Sequence, residues 1–254
     1  MNRLFSLKGK IALITGSSGG LGLTFARGLA EAGAIVILNG RNGEKLERAA
    51  DALRHAGHTV HTRAFDVTSE EKIQDAVSDI EATIGPIDIL INNAGVQRRG
   101  LLETIEQKTF EEVLDTNLTA PFLMAKHVAA RMMQRRRGKI INICSLMSEL
   151  GRKTVGPYAA SKGGLKMLTR AMAVDWAEYN IQVNGIAPGY FITEMTQPLA
   201  DDPEFDAWLK KRTPAGRWGD PDELIGAALF LASDASNFVN GQIIFVDGGI
   251  TAAL

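Results

Sequence analysis

Seven short apolar runs punctuate the chain, each closing on small or polar residues: IALITG (11–16), AIVILNG (34–40), TVHTRAFDV (59–67), IDILINNAG (87–95), KIINICS (139–145), IQVNGIAPG (181–189) and QIIFVDGG (242–249). Several are apolar at successive positions rather than at alternate ones, the pattern of strands covered on both faces. The segments between them have helical period. Residues 44–55 place Leu46, Ala49, Ala50 and Leu53 on one stripe, with Gly57 set to end the helix. Thr68 and Glu71 have capping-box spacing ahead of Ile73, Val77 and Ile80. This regular alternation predicts one α/β domain over residues 1–254: a doubly wound, seven-stranded parallel sheet with helices on both faces and right-handed crossovers. Residues 190–222 break the rhythm. No strand follows the sixth run there, only a long excursion with a short helical piece, PEFDAWLKK. Because it leaves the carboxyl end of a strand, where open sheets bind ligands, it is expected to be a substrate lid.

Composition narrows the partners. The chain has 254 residues, 45% of them hydrophobic, enough for a substantial core. Its net charge of −1, from 28 basic and 29 acidic residues, provides no field to draw it to nucleic acid or to a membrane. The run Arg135, Arg136, Arg137 has the place of a solvated helix end. Cys144 is the only cysteine, which excludes an intrachain disulfide and suits a reducing compartment. With no apolar core for a signal peptide in MNRLFSLKGK and no apolar stretch of about 18–20 residues, a cytoplasmic protein is expected.

The first run leads into a glycine turn and a helix. Gly16, Gly20 and Gly22 have TGxxxGxG spacing (15–22), with Ser17, Ser18 and Leu21 between them. Missing side chains let such a backbone approach a pyrophosphate, and the helix offers free N–H groups and the positive end of its dipole. A Rossmann-type dinucleotide site is therefore predicted. An acidic residue usually ends the second strand of such a unit and holds the adenosine ribose. Here Gly40 and Arg41 stand in that place. Gly40 removes a carboxylate that would repel a 2′-phosphate, and Arg41 supplies a planar cation for its oxygens, so NADP is expected over NAD. Asp66 and Val67 end the third strand, facing the adenine edge. Asn93, Ala94 and Gly95 end the fourth, where small residues allow close approach and Asn92 or Asn93 could brace the neighbouring backbone.

The most informative stretch for chemistry is GPYAASKGG (156–164). Pro157 suits a helix start, which would place Tyr158 and Lys162 on one face of the first turns. An ammonium near a phenol favours phenolate, lowering the pKa of an otherwise poor acid–base group. Ser145, at the end of the fifth strand, can hydrogen-bond a substrate oxygen. Asn117, in DTNLTAPF, occupies a mid-helix position that asparagine does not favour, which suggests a bonding task.

These motifs, in this order, resemble the short-chain dehydrogenase/reductase family over essentially the whole chain. The resemblance implies that Tyr158 is the acid–base, that Lys162 lowers its pKa and holds the nicotinamide ribose, and that Ser145 orients the carbonyl. It also implies a water relay maintained by Asn117, contacts of Pro188, Gly189 and Thr193 with the nicotinamide carboxamide, no metal, and a homotetramer paired through the helices containing Asn117 and Tyr158. Many NADP-using relatives carry a basic residue where this chain has Gly19. AGVQRRG (94–100), NICSLMSELGR (142–152), APGYFITEM (187–195) and residues 213–241 look closer to members acting on sugar acids. Arg98, Arg99 and Arg152 are then candidates for the substrate carboxylate, with Ser148 and Glu149 for its hydroxyls. Each arginine also suits an ordinary surface charge. The alternatives are reduction of a 3-oxoacyl thioester and a non-catalytic NADP-binding scaffold.

Overall fold

A computed structural model describes residues 3–254; the first two residues of the amino-terminal segment lie outside it. The seven strands are β1 (Ile11–Ile14), β2 (Ile35–Gly40), β3 (Val60–Ala64), β4 (Ile89–Asn92), β5 (Gly138–Ile143), β6 (Ile181–Pro188) and β7 (Ile243–Val246). All pair in parallel, in the order β3-β2-β1-β4-β5-β6-β7. The successive apolar positions are explained by this burial: every residue of β1, β4, β5 and β6 is covered.

The helices are α1 (Gly20–Glu31), α2 (Gly43–His55), α3 (Glu70–Thr83), α4 (Gln107–Leu114), α5 (Ala120–Arg135), α6 (Gly156–Trp176), α7 (Gln197–Ala200), α8 (Pro203–Arg212) and α9 (Ile225–Ala232). One core layer packs α1, α2 and α9 on the sheet through Phe25, Leu29, Leu46 and Leu231. The other packs α3, α5 and α6 through Ile73, Ile80, Met124, Val128 and Met172. At the start of α3 the cap is Ser69, whose hydroxyl accepts from Lys72 N, rather than Thr68. The Thr68 hydroxyl donates to Asp66 at 2.8 Å and so serves the strand end.

The reversal of strand order between β1 and β4 opens a crevice at the carboxyl edge of the sheet. The excursion after β6 lies over this edge and carries α7 and α8. A small apolar core of its own holds it, with Leu209, Trp218 and Ile250 packed against Tyr190 and Phe205. No helix among the described residues is long and apolar enough to cross a membrane.

Candidate active site

A cavity of about 730 Å³ runs along the carboxyl edge. Gly16, Ser18, Gly20, Leu21, Gly22, Arg41, Asp66, Val67, Asn93, Ala94, Gly95, Ser145, Tyr158, Lys162, Pro188, Gly189 and Thr193 all line it, converging from six strand ends. The glycines are required by geometry. Gly16 has φ +62°, and a Cβ there would stand 2.8 Å from Ala94 Cα. One on Gly189 would stand 2.7 Å from Asp247 Cα.

Hydrogen bonds tie β1 to β4 beneath this floor. Thr15 Oγ1 accepts from Asn93 N at 2.9 Å and Ala94 N at 3.0 Å, while Asn93 Nδ2 donates to Thr15 O and Gly16 O, both at 3.0 Å. Asn92 instead enters a buried ladder, donating to Asn142 Oδ1 at 2.9 Å. Asn39 was given no task by sequence reasoning, yet it braces the turn from β2. Its Oδ1 accepts from Gly16 N at 3.4 Å and its Nδ2 donates to Phe65 O at 3.1 Å. A polar residue inside the buried run VILNG was the signal available.

Ser17 departs from the expected arrangement. It is fully buried, donates to Ile14 O at 2.8 Å and accepts from Asn39 N at 3.0 Å, so its hydroxyl faces the sheet rather than the cavity. The Arg41 guanidinium, by contrast, is exposed and makes no hydrogen bond among the described residues. Burial pushes the Asp66 carboxyl up, but the two Thr68 hydrogen bonds, then the fields of Arg41 and Lys72, hold it below its usual range.

Tyr158 and Lys162 face each other on α6, with Nζ 5.6 Å from the centre of the phenol ring. The ammonium turns toward the main chain, donating to Ile143 O at 2.6 Å. Burial brings its pKa down to about 8. The phenol does not show the expected lowering. Burial raises its pKa, against a hydrogen bond with the Ser145 hydroxyl. Ser145 Oγ also accepts from Met147 N at 3.1 Å.

Asn117 is fully buried in a π-helical turn, Asp115–Thr119, between α4 and α5. Its Oδ1 accepts from Val96 N at 2.8 Å, and its Nδ2 donates to Val96 O at 2.9 Å and Ser161 Oγ at 3.1 Å. The unusual turn explains how asparagine is tolerated there.

The structure sorts the substrate candidates. Arg98 is paired with Glu112 through two bonds, 2.6 and 3.2 Å, on the exposed rim. Glu149 is drawn to Lys166 of α6, and Ser148 Oγ accepts from Ser145 N at 3.3 Å, so neither faces the cavity. Arg99 and Arg152 have no carboxylate partner among the described residues. Arg152 donates to Tyr190 Oη at 3.1 Å and lies 5.1 Å from the centre of the Phe205 ring. Arg99 is held below the ordinary guanidinium range, by partial burial and then by the Arg152 cation. Burial raises the Tyr190 pKa, while Arg152 and then Arg99 oppose the rise.

A parallel sheet with a glycine-cradled cavity and a Ser–Tyr–Lys constellation defines a nucleotide-dependent oxidoreductase of the open-sheet type. The chain belongs to the short-chain dehydrogenase/reductase family: a family model described as enoyl-(acyl carrier protein) reductase matches residues 16–251. It is 55% identical to gluconate 5-dehydrogenase of Gluconobacter oxydans (strain 621H), over 99% of this chain and 98% of that one. It is 53% identical to 2-dehydro-3-deoxy-D-gluconate 5-dehydrogenase of Formosa agariphila, over 99% and 96%. The crystal structure of a gluconate 5-dehydrogenase from Burkholderia cenocepacia J2315, in complex with NADP and tartrate, superposes with a TM-score of 0.97 at 54% identity, covering 99% of both chains.

Proposed function

We propose that the protein is an NADP(H)-dependent reductase that interconverts 5-keto-D-gluconate and D-gluconate at C5. One observation carries the substrate class: among the described residues Arg99 and Arg152 have no acidic partner, and both act on Tyr190, with Arg152 donating to its Oη. Cations without partners, half-buried at Arg152 and exposed at Arg99, suit an anionic ligand, and a planar guanidinium suits a carboxylate. Reaction at C5 is common to the names of the Gluconobacter and Formosa relatives, which differ in the substituents nearer the carboxylate. The 3-oxoacyl thioester reading gains no such support, since Arg152 stands among the aromatic rings of the excursion, where its charge would not suit an acyl chain.

The residues at hand fit a dinucleotide: glycines open the floor at Gly16 and Gly189, and Arg41, without a hydrogen-bond partner among the described residues, lines the cavity after β2. NADPH, when bound, supplies the hydride that reduces the ketone carbon. Tyr158 gives its proton to the C5 oxygen, and Ser145, already bonded to that phenol, orients the same oxygen. Lys162 holds the nicotinamide ribose and, with its pKa near 8, returns the proton to Tyr158. The positive charge of the oxidised nicotinamide assists phenolate formation in the reverse direction, which higher pH favours because oxidation releases a proton. With both ends of its side chain engaged, Asn117 fixes Val96 and the start of α6, and a relay toward Lys162 then uses its main chain.

Residues 190–222 act as the lid, Pro188, Gly189 and Thr193 meet the nicotinamide carboxamide, and Asp66 and Val67 meet the adenine. Self-association as a homotetramer through α5 and α6 is supported by Phe122, Met167 and Val174, apolar residues exposed on those helices. A cytoplasmic setting suits the single thiol, Cys144, whose pKa burial pushes up to about 11.

Steady-state rates with NADPH and NADH on 5-keto-D-gluconate, 2-dehydro-3-deoxy-D-gluconate and a 3-oxoacyl thioester test the proposal. NADPH with a 5-keto sugar acid is expected to give the highest kcat/KM, and Arg152→Met to raise KM for the acid about tenfold or more. Equal rates on sugar acids and thioesters would remove the substrate assignment. Full activity with NADH and little with NADPH would remove the cofactor assignment.

A further inference from the structure

Across the outer part of the cavity, Lys45 of α2 meets Glu194 of the excursion, Nζ to Oε2 at 3.3 Å. The residues are 149 apart in sequence. Beneath the pair lies Gly19: a Cβ there would stand 3.5 Å from Lys45 Nζ and 3.8 Å from Glu194 Oε1. The missing side chain leaves room for the ammonium to reach over the glycine turn. Lys45 and Arg41 leave the same connection, on either side of Asn42, whose side chain caps α2 by accepting from Lys45 N at 2.9 Å. That connection follows β2, where the adenosine ribose of such a cofactor rests, while the pyrophosphate rests on the amino end of α1.

We propose that Lys45 is a second cation for the 2′-phosphate of NADP(H), acting with Arg41, and that Glu194 is an internal competitor which occupies it in the protein alone. This rests on the NADP reading above and goes beyond it. A 2′-phosphate carries close to two negative charges and three acceptor oxygens, so one guanidinium leaves it under-neutralised. Both members of the Lys45–Glu194 pair are well exposed, so the pair is weak and a phosphate displaces it readily. NADH has no group to make this exchange, which turns Lys45 into a residue of cofactor choice.

The test is direct binding of NADPH, NADH, adenosine 2′,5′-bisphosphate and AMP to the whole protein by calorimetry. Lys45→Met is expected to weaken NADPH and the bisphosphate about tenfold and to leave NADH and AMP within about twofold, whereas Lys45→Arg retains most of the affinity. Glu194→Gln is expected to tighten NADPH severalfold, with no such gain when Lys45 is already Met. Equal weakening of NADPH and NADH in Lys45→Met would place the ammonium on the diphosphate and overturn the proposal; so would unchanged NADPH binding. A failure of the NADP reading itself looks different: wild-type protein would bind AMP as tightly as the bisphosphate, and Arg41→Ala would change neither.

Discussion

At the amino end of the sheet, Arg135 meets Glu81 at 2.7 Å and Arg137 meets Asp88 at 2.6 Å. Asp88 also accepts from Ile11 N at 3.1 Å, which ties the starts of β1 and β4 together. Buried Lys139 reaches Asn237 Oδ1 at 2.8 Å and Ser236 Oγ at 3.3 Å. Arg135 is thus tied to α3 and Arg137 to the residue before β4, while Arg136 and Arg137 stay exposed at the end of α5, the solvated helix end its sequence suggests. At the carboxyl end the cations are held differently. Among the described residues Arg41 has no hydrogen-bond partner, Arg99 and Arg152 have no acid, Lys162 donates to a carbonyl and lies over the Tyr158 ring, and Lys45 has one exposed partner. Charges satisfied within the protein hold the sheet together. Charges left open are a cost to the folded state that a ligand relieves, which is why they gather where binding occurs.

The sharpest separation of the two ends is Tyr158→Phe. Turnover is expected to fall about 10³-fold, from loss of the proton donor, with NADPH affinity within about twofold and an unchanged melting temperature. A variant retaining a tenth of wild-type turnover would show that another group handles the proton. Asp88→Ala probes the opposite end. It strips an acceptor from Ile11 N–H and leaves Arg137 unpaired, so urea titration is expected to show a loss of about 1–3 kcal/mol while kcat/KM stays within about twofold. A kinetic defect with unchanged stability would break the contrast.

The smallest effect concerns Lys162. Its folded pKa, about 8, lies below the ordinary 10.5, so the unfolded chain binds more protons between those values. Stability supplied by this group therefore rises with pH through that window. Wild type is expected to gain on the order of 1 kcal/mol relative to Lys162→Met between pH 7 and pH 9.5. A constant difference across that range would mean the ammonium is better solvated than its burial implies.

Much of the site could be read in the sequence because its parts are local. The glycine spacing of 16–22 belongs to one turn, and Tyr158 and Lys162 to one helix face, so periodicity and backbone conformation suffice to place them. The arginines could not be sorted that way. Arg98 and Arg99 are neighbours in the chain, yet one is engaged by Glu112 and the other faces Arg152. Glu149 was a reasonable hydroxyl ligand until Lys166, seventeen residues on, took it.

By itself, then, the chain dictated the strand and helix succession, the glycine turn, the absence of an acid after β2 and the pairing of Tyr158 with Lys162, each set by chemistry within a few neighbouring residues. Tertiary structure alone decided that Ser17 turns inward, that Asn39 braces the turn, that Asn93 rather than Asn92 does so from β4, and which cations keep partners. Those outcomes depend on the strand order, which brings residue 16 against residue 94 and residue 45 against residue 194. Side-chain pairing is settled only when distant segments pack, and no spacing along the chain encodes it.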